Sequence, residues 1–207
     1  MTQCVIAMMV AMPRWDPCAE ERLREAALEL FLEHGYENVT VAQITERAGL
    51  TRRSFSRYFA DKRDVLFAGS ERLPAVLARA VRHADGALSP FGALLAGLVE
   101  VAGELADQAP LAAQRRAVVG ASPELQERGR TKFAAVTDAV ADALRDRGAA
   151  GSEATLLAQV GVAIFRTALD RWADQPDEAG LPGRIREAAA ELAASLGTVD
   201  FAALPLP

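Results

Sequence analysis

Six basic residues fall between Arg47 and Arg63, against one acid, Asp61, a local balance of 6 − 1 = +5. Inside that segment the stretch LTRRSFSRYF, residues 50–59, sets Arg52, Arg53 and Arg57 among Phe55, Tyr58 and Phe59. A guanidinium is a planar fork of N–H donors, suited to phosphate oxygens and to the O6/N7 edge of guanine. The rest of the chain makes this segment informative. Overall, 23 Lys plus Arg face 28 Asp plus Glu, a net charge of −5. A concentrated basic segment in an acidic chain points to a small surface aimed at a polyanion. Spacing supports that aim. In a helix from 52 to 58, Arg53 and Arg57 share one face, Arg52 and Ser56 the next, while Phe55 and Phe59 take the opposite side. Such a helix, basic in front and apolar behind, can enter a DNA major groove with its N-terminus first. An arginine bonded bidentately to guanine is worth ~1–3 kcal/mol of base discrimination. The hydroxyls of Thr40, Thr51, Ser54 and Tyr58 and the Lys62 ammonium suit phosphate contacts that set register.

Other chemistries find no support in the residue pattern. His34 and His83 stand far apart, each near the end of a predicted helix where a cation suits the dipole. With them come no metal-ligand spacing, no Cys–His pair, no Ser–His–Asp arrangement and no glycine-rich phosphate loop. Enzyme, metal and cofactor are therefore not expected. Cys4 and Cys18 read as free thiols of a reducing, cytoplasmic compartment. The apolar opening MTQCVIAMMVAM is twelve residues long, too short to span a bilayer, and no membrane association is expected. Residues 1–16 read as a disordered tail, with Met12 a candidate initiator, and 201–207 as a second tail.

The elements that must hold the basic face are helical throughout. Leu23, Ala26, Ala27, Leu30 and Phe31 repeat at helical spacing up to Gly35. Thr40 can cap the next helix, with Gln43 at the capping-box position, and that helix stops at Ala48-Gly49. Thr51 can cap a third through Tyr58, and Asp61 a fourth over KRDVLFAGSERL. Two short helices joined by a Gly-containing turn form a helix-turn-helix. Beyond residue 70, prolines divide an Ala/Leu-rich region, and Ser89-Pro90 and Ser122-Pro123 read as helix starts. Apolar stripes recur at 91–105, 125–144, 156–172 and 185–196. The expected architecture is all-α: a helix-turn-helix domain over 17–62 and a larger helical bundle over 63–200.

Residues 22–66 resemble the DNA-binding domain of TetR-family transcriptional regulators. The resemblance is carried by Phe31, Gly35, Tyr36, Thr40, Val41, Ile44, Ala48, Gly49, Leu50, Phe55, Tyr58, Phe59 and Lys62, in order and spacing. Ser56 departs from the pattern, standing where the family often has a phosphate-contacting Tyr, and Thr45 stands where Ala is common. The segment FRTALDRW, 165–172, resembles the corresponding helix of mycofactocin-type regulators.

The resemblance implies about nine helices and a C-terminal domain that binds an effector and dimerises through its last two helices. Val160, Ile164, Phe165, Leu169, Ile185 and Leu192 are the expected dimer interface. Arg115, Arg116, Arg166, Asp170 and Trp172 are the candidates for contact with an apolar or amphipathic small-molecule effector. The expected function is that of a ligand-responsive repressor, binding a pseudo-palindromic double-stranded DNA operator as a homodimer. The alternative is a helical binding module whose contact with DNA ignores sequence, a reading that Ser56 favours.

Overall fold

The computed structural model describes residues 18–105, 109–175 and 177–199. The tails expected at 1–16 and 201–207 lie outside them. Among the described residues there are ten α-helices, two 3-10 turns and no strand. None of these helices is long and apolar enough to cross a membrane. The chain forms two compact units: one runs through Glu71 and includes Ala117–Glu127, and the other holds Arg72–Arg116 and the remainder from Arg128.

In the first unit, α1 (Ala19–His34) is followed by a 3-10 turn (Tyr36–Asn38), α2 (Val41–Arg47), α3 (Arg52–Tyr58) and the single-turn α4 (Asp64–Phe67). The stripe of α1 faces inward as its spacing predicts: Leu23, Ala26, Ala27, Leu30 and Phe31 are all buried. Ile44, Ala48, Phe55 and Phe59 close on it from α2 and α3. Thr45 is buried and satisfied, its hydroxyl donating to the Ala42 carbonyl at 2.9 Å. The fourth helix is shorter than KRDVLFAGSERL suggested. Ala68 turns extended (φ −57°, ψ 137°) and ends α4, and residues 70–72 form a separate 3-10 turn. Val65, Leu66 and Phe67 belong to the same core as Phe55. A division at 62/63 would split that core, and the compact unit runs on to Glu71. Val118 and Leu125 join this core as well.

The second unit contains α5 (Leu73–His83), α6 (Pro90–Glu104), α9 (Gly151–Asp174) and α10 (Gly180–Leu196), with parts of α7 (Ala109–Gly120) and α8 (Pro123–Asp146). Ser89 caps α6, its hydroxyl accepting from Gly92 N–H at 3.2 Å with Pro90 at the first helical position. The core gathers Leu94 and Leu98 of α6, Val140 and Leu144 of α8, Phe165 and Trp172 of α9 and Ile185 of α10. Gly161 lets α9 approach α6, since a Cβ there would stand 2.4 Å from Leu94 Cδ2 and 2.9 Å from its Cγ.

Cys18, read as a free thiol, is disulfide-bonded. Cys4 lies outside the described residues.

The close approach at Gly161 gives a first test. Gly161→Val adds volume where Leu94 is fully buried. Overpacking of this kind costs about 1–3 kcal/mol. Urea unfolding followed by circular dichroism should show the midpoint lowered accordingly, and an unchanged midpoint would mean that α6 and α9 do not meet there.

Candidate nucleic-acid interface

The turn between α2 and α3 decides where the arginines point. Thr40 caps α2 through a full capping box: its hydroxyl accepts from Gln43 N–H at 3.3 Å, and its own N–H donates to Gln43 Oε1 at 2.8 Å. At the other end, Gly49 takes φ +64°, a conformation that costs a side chain dearly. The Arg22 guanidinium of α1 donates to the Ala48 carbonyl, and a Cβ on Gly49 would stand 3.0 Å from it. Glycine thus supplies both the turn and the space for that clamp. Leu50 N–H then returns to the Thr45 carbonyl at 2.8 Å. Thr51 restarts the chain as a helix, its hydroxyl accepting from Ser54 N–H at 3.1 Å.

With its start so placed, α3 rotates Phe55 and Phe59 into the core, their ring centroids 5.3 Å apart. The remaining face carries Arg52, Arg53, Ser56 and Arg57, all exposed. Thr40 and Thr51 are exposed too, while Ser54 and Tyr58 are partly so. The Arg57 guanidinium lies over the Tyr58 ring, 4.6 Å from its centroid, and donates to the Tyr58 hydroxyl. Stacking and bonding together hold that guanidinium in one plane.

The other basic residues of the segment are engaged elsewhere. Arg47 reaches Glu29 at 3.2 Å and Glu33 at 2.9 Å, both on α1. The Arg47 hydrogen bond holds the Glu33 carboxyl below its ordinary pKa. Arg63 pairs with Asp61 and, at 2.9 Å, with Glu124. Counting Glu29, Glu33 and Glu124 with residues 47–63 lowers the local balance from +5 to 6 − 4 = +2. No carboxylate among the described residues pairs with Arg52, Arg53 or Arg57. The positive charge is therefore concentrated on the exposed face of α3.

Lys62, expected at phosphate, turns inward. Its ammonium donates to the carbonyls of Tyr36 (2.9 Å), Val39 (3.2 Å) and Glu37 (3.4 Å) and sits 4.2 Å from the Tyr36 ring centroid. An ammonium has three N–H donors, and these bonds account for all three. Burial, with a smaller contribution from the Glu124 charge, pushes the Tyr36 phenol up to about 12. Sequence reasoning missed the engagement of Lys62, Arg22 and Arg47. The only signal was the i, i+4 spacing of Glu29 and Glu33 on the outer face of α1, which marks a place for a cation.

In the second unit, the candidate residues separate into two environments. Phe165 and Ile185 lie in the core of their own chain, 1% and 0% exposed, and Ile164 is 5% exposed. Leu169 is partly buried and packs on the same core. Val160, Ile164 and Leu192 border an open groove between α9 and α10, together with Ala163, Thr167, Ala188, Glu191 and Ser195. Leu156 and Leu196 stand exposed at 60% and 48%. The α9–α10 pair is tied by Arg171 and Glu191 at 2.7 Å, an ion pair that lowers the Glu191 pKa.

The effector candidates likewise share no single lining. Trp172 is buried in the core, Arg116 pairs with Asp174 at the surface with Asp170 at 4.0 Å, and Arg166 lies over the Phe133 ring at 5.3 Å. Arg115 is partly buried on α7. No group of three or more His, Cys, Asp or Glu among the described residues could hold a metal ion.

Two family models match this chain. Residues 23–68 match bacterial regulatory proteins of the tetR family, and residues 88–197, more than half of the chain, match the MftR C-terminal domain. The chain belongs to the TetR family of regulators. The HTH-type transcriptional regulator TcmR of Streptomyces glaucescens is 32% identical over 87 residues, which are 42% of this chain and 38% of TcmR. MftR of Mycobacterium tuberculosis, which carries the name of a mycofactocin biosynthesis transcriptional regulator, is 28% identical over 119 residues, 58% of this chain and 60% of MftR. The chain thus spans less than two thirds of either curated relative. SmeT, the repressor of the Stenotrophomonas maltophilia multidrug efflux pump SmeDEF, has a solved structure 25% identical to this chain, with a TM-score of 0.56, covering 91% of this chain and 96% of SmeT. Its triclosan complex gives a TM-score of 0.62 at 22% identity, covering 92% of this chain and 99% of that one.

The Arg63–Asp61 pair makes the first unit sensitive to acid. The Arg63 hydrogen bond holds the Asp61 carboxyl below the usual range in the folded state. A carboxyl with a depressed folded pKa stabilises above its unfolded pKa, about 4, and loses that contribution as pH falls through the folded value. Asp61→Asn should lower the melting temperature at pH ~7, and the gap to the parent should narrow towards pH ~3. Scanning calorimetry across that range measures it, and a constant gap would mean that Asp61 titrates alike in both states.

Proposed function

We propose that the chain is a ligand-responsive transcriptional repressor that binds a pseudo-palindromic operator as a homodimer. The observation that carries this reading is the exposed row of Arg52, Arg53 and Arg57 on a helix whose opposite side is locked by Phe55 and Phe59. In this reading α3 enters the major groove, and Arg53 and Arg57 address base edges. Arg52, Thr40, Thr51, Ser54 and Tyr58 contact phosphates and fix register. Lys62 is left out of that set, because its donors are occupied within the fold.

Dimerisation uses the outer face of α9 and α10. A second copy would cover the open groove that Val160, Ile164 and Leu192 line, together with the exposed Leu156 and Leu196 of the same two helices. Two recognition helices held about one DNA turn apart then read the two half-sites. An effector, apolar or amphipathic, acts through the second unit. It need only favour the DNA-incompetent state by the usual coupling of ~1–3 kcal/mol. The triclosan bound to SmeT is of this chemical kind.

Two measurements test the reading. Arg53→Ala and Arg57→Ala should each relax base preference at one half-site position by ~1–3 kcal/mol, measured by competition with single-base operator variants. Wild-type preference in both would remove α3 from the groove. A charge on the open face, Val160→Glu or Leu192→Glu, should give monomers in sedimentation and lose operator affinity together. Monomers that keep full affinity would contradict the homodimer.

A further inference from the structure

We infer that Lys62 is a positioning residue, a clasp that ties together the two ends of the helix-turn-helix and so sets the angle at which α3 is presented. The inference rests on the DNA-binding reading above. Its observation is separate: an ammonium whose donors go to three backbone carbonyls of the segment just before α2, while its own residue lies just after α3.

The geometry closes a loop. Val39, whose carbonyl accepts at 3.2 Å, immediately precedes Thr40, the N-cap of α2. Lys62 follows the extended Phe59 that ends α3. The residues from 39 to 62, which contain both helices and their turn, are thus joined at their base by one side chain. Both walls of the clasp are rigid. Tyr36 and Val39 are 5% and 1% exposed, and the Tyr36 ring packs edge-on against Phe31 of α1 at 5.2 Å. The ammonium also lies 4.2 Å from that ring's centroid, where the ring's negative face attracts a cation. Fixing the Val39 carbonyl fixes the peptide leading into Thr40, and with it the start of α2. The Gly49 turn carries that placement to α3. A phosphate could recruit Lys62 only by withdrawing it from these carbonyls. Two part-buried acceptors, the Tyr36 and Val39 carbonyls, would then lose a charged donor.

Phosphate ligands and positioning residues leave different signatures in salt. Removing a phosphate contact reduces the slope of log K against log [salt] by about 0.9. Removing a clasp lowers affinity at every salt and leaves the slope alone. The test uses the full chain with Lys62→Met, which keeps the apolar stem and loses the donors. Operator affinity is measured across a salt series well below the melting temperature, beside amide hydrogen exchange of the free protein. The expected result is an affinity lower by about tenfold or more, an unchanged slope, and faster exchange over residues 36–47 with α1 unaltered. A slope smaller by one phosphate makes Lys62 a DNA ligand and overturns the inference. Wild-type affinity, or wild-type exchange at 36–47, overturns it as well. If the parent chain itself binds no duplex, the DNA-binding reading fails, and the exchange measurement alone decides whether the clasp holds α2.

Discussion

Burial of Phe55 and Phe59 on one side of a seven-residue helix is the constraint from which the rest of the interface follows. A helix that short has no stability of its own in water. What holds it is the apolar side, where each fully buried aromatic or aliphatic side chain contributes about 1.5–3 kcal/mol. Once those rings are seated against Ile44 and α1, the rotation of the helix about its axis is settled. Arg52, Arg53 and Arg57 then have nowhere to go but outward. None of these three arginines pairs with a carboxylate among the described residues of the unit, and the Arg57 guanidinium contacts its neighbour Tyr58. Their placement follows from packing done by other residues, which leaves their chemistry free for a partner.

Electrostatics sharpens what packing arranges. Arg47 and Arg63, at the two ends of the basic segment, each meet two carboxylates. Exposed ion pairs of this kind add little to stability. Their effect lies in the field they leave behind. Charge is cancelled at the edges and kept at the centre, so the attraction for a polyanion is confined to one face a few residues wide. The rest of the chain is net acidic and repels DNA elsewhere.

Local features were legible in the sequence because they are written in local spacing. The inward stripe of α1, the caps at Thr40, Thr51 and Ser89, and the outward row on α3 all follow from 3.6-residue periodicity and from hydroxyls at helix starts. What escaped was set by tertiary partners. Glu33 lies fourteen residues before Arg47, and the Lys62 acceptors lie 23 to 26 residues before it. Spacing carries no record of such pairs. The stripe on α9 is ambiguous for a related reason. A helix covered on its inner side and apolar on its outer side shows one broad apolar band. Periodicity gives the band but not its two faces: Phe165 and Ile185 lie in the core, while Val160, Ile164 and Leu192 pack on that core and also line the open groove. The end of α4 was missed because Ala68, an apt helix former, is extended here for reasons of chain path rather than of residue type.

The central claim is that the exposed arginine face of α3, presented twice by a symmetric pair, reads a DNA sequence. Selection of bound duplexes from a random pool by the full-length chain tests it most directly. The account predicts enrichment of a two-fold symmetric sequence, its half-sites centred about one helical turn apart and guanine-bearing where arginines reach. A bound pool with no sequence in common, held only by an affinity that falls steeply with salt, would contradict it.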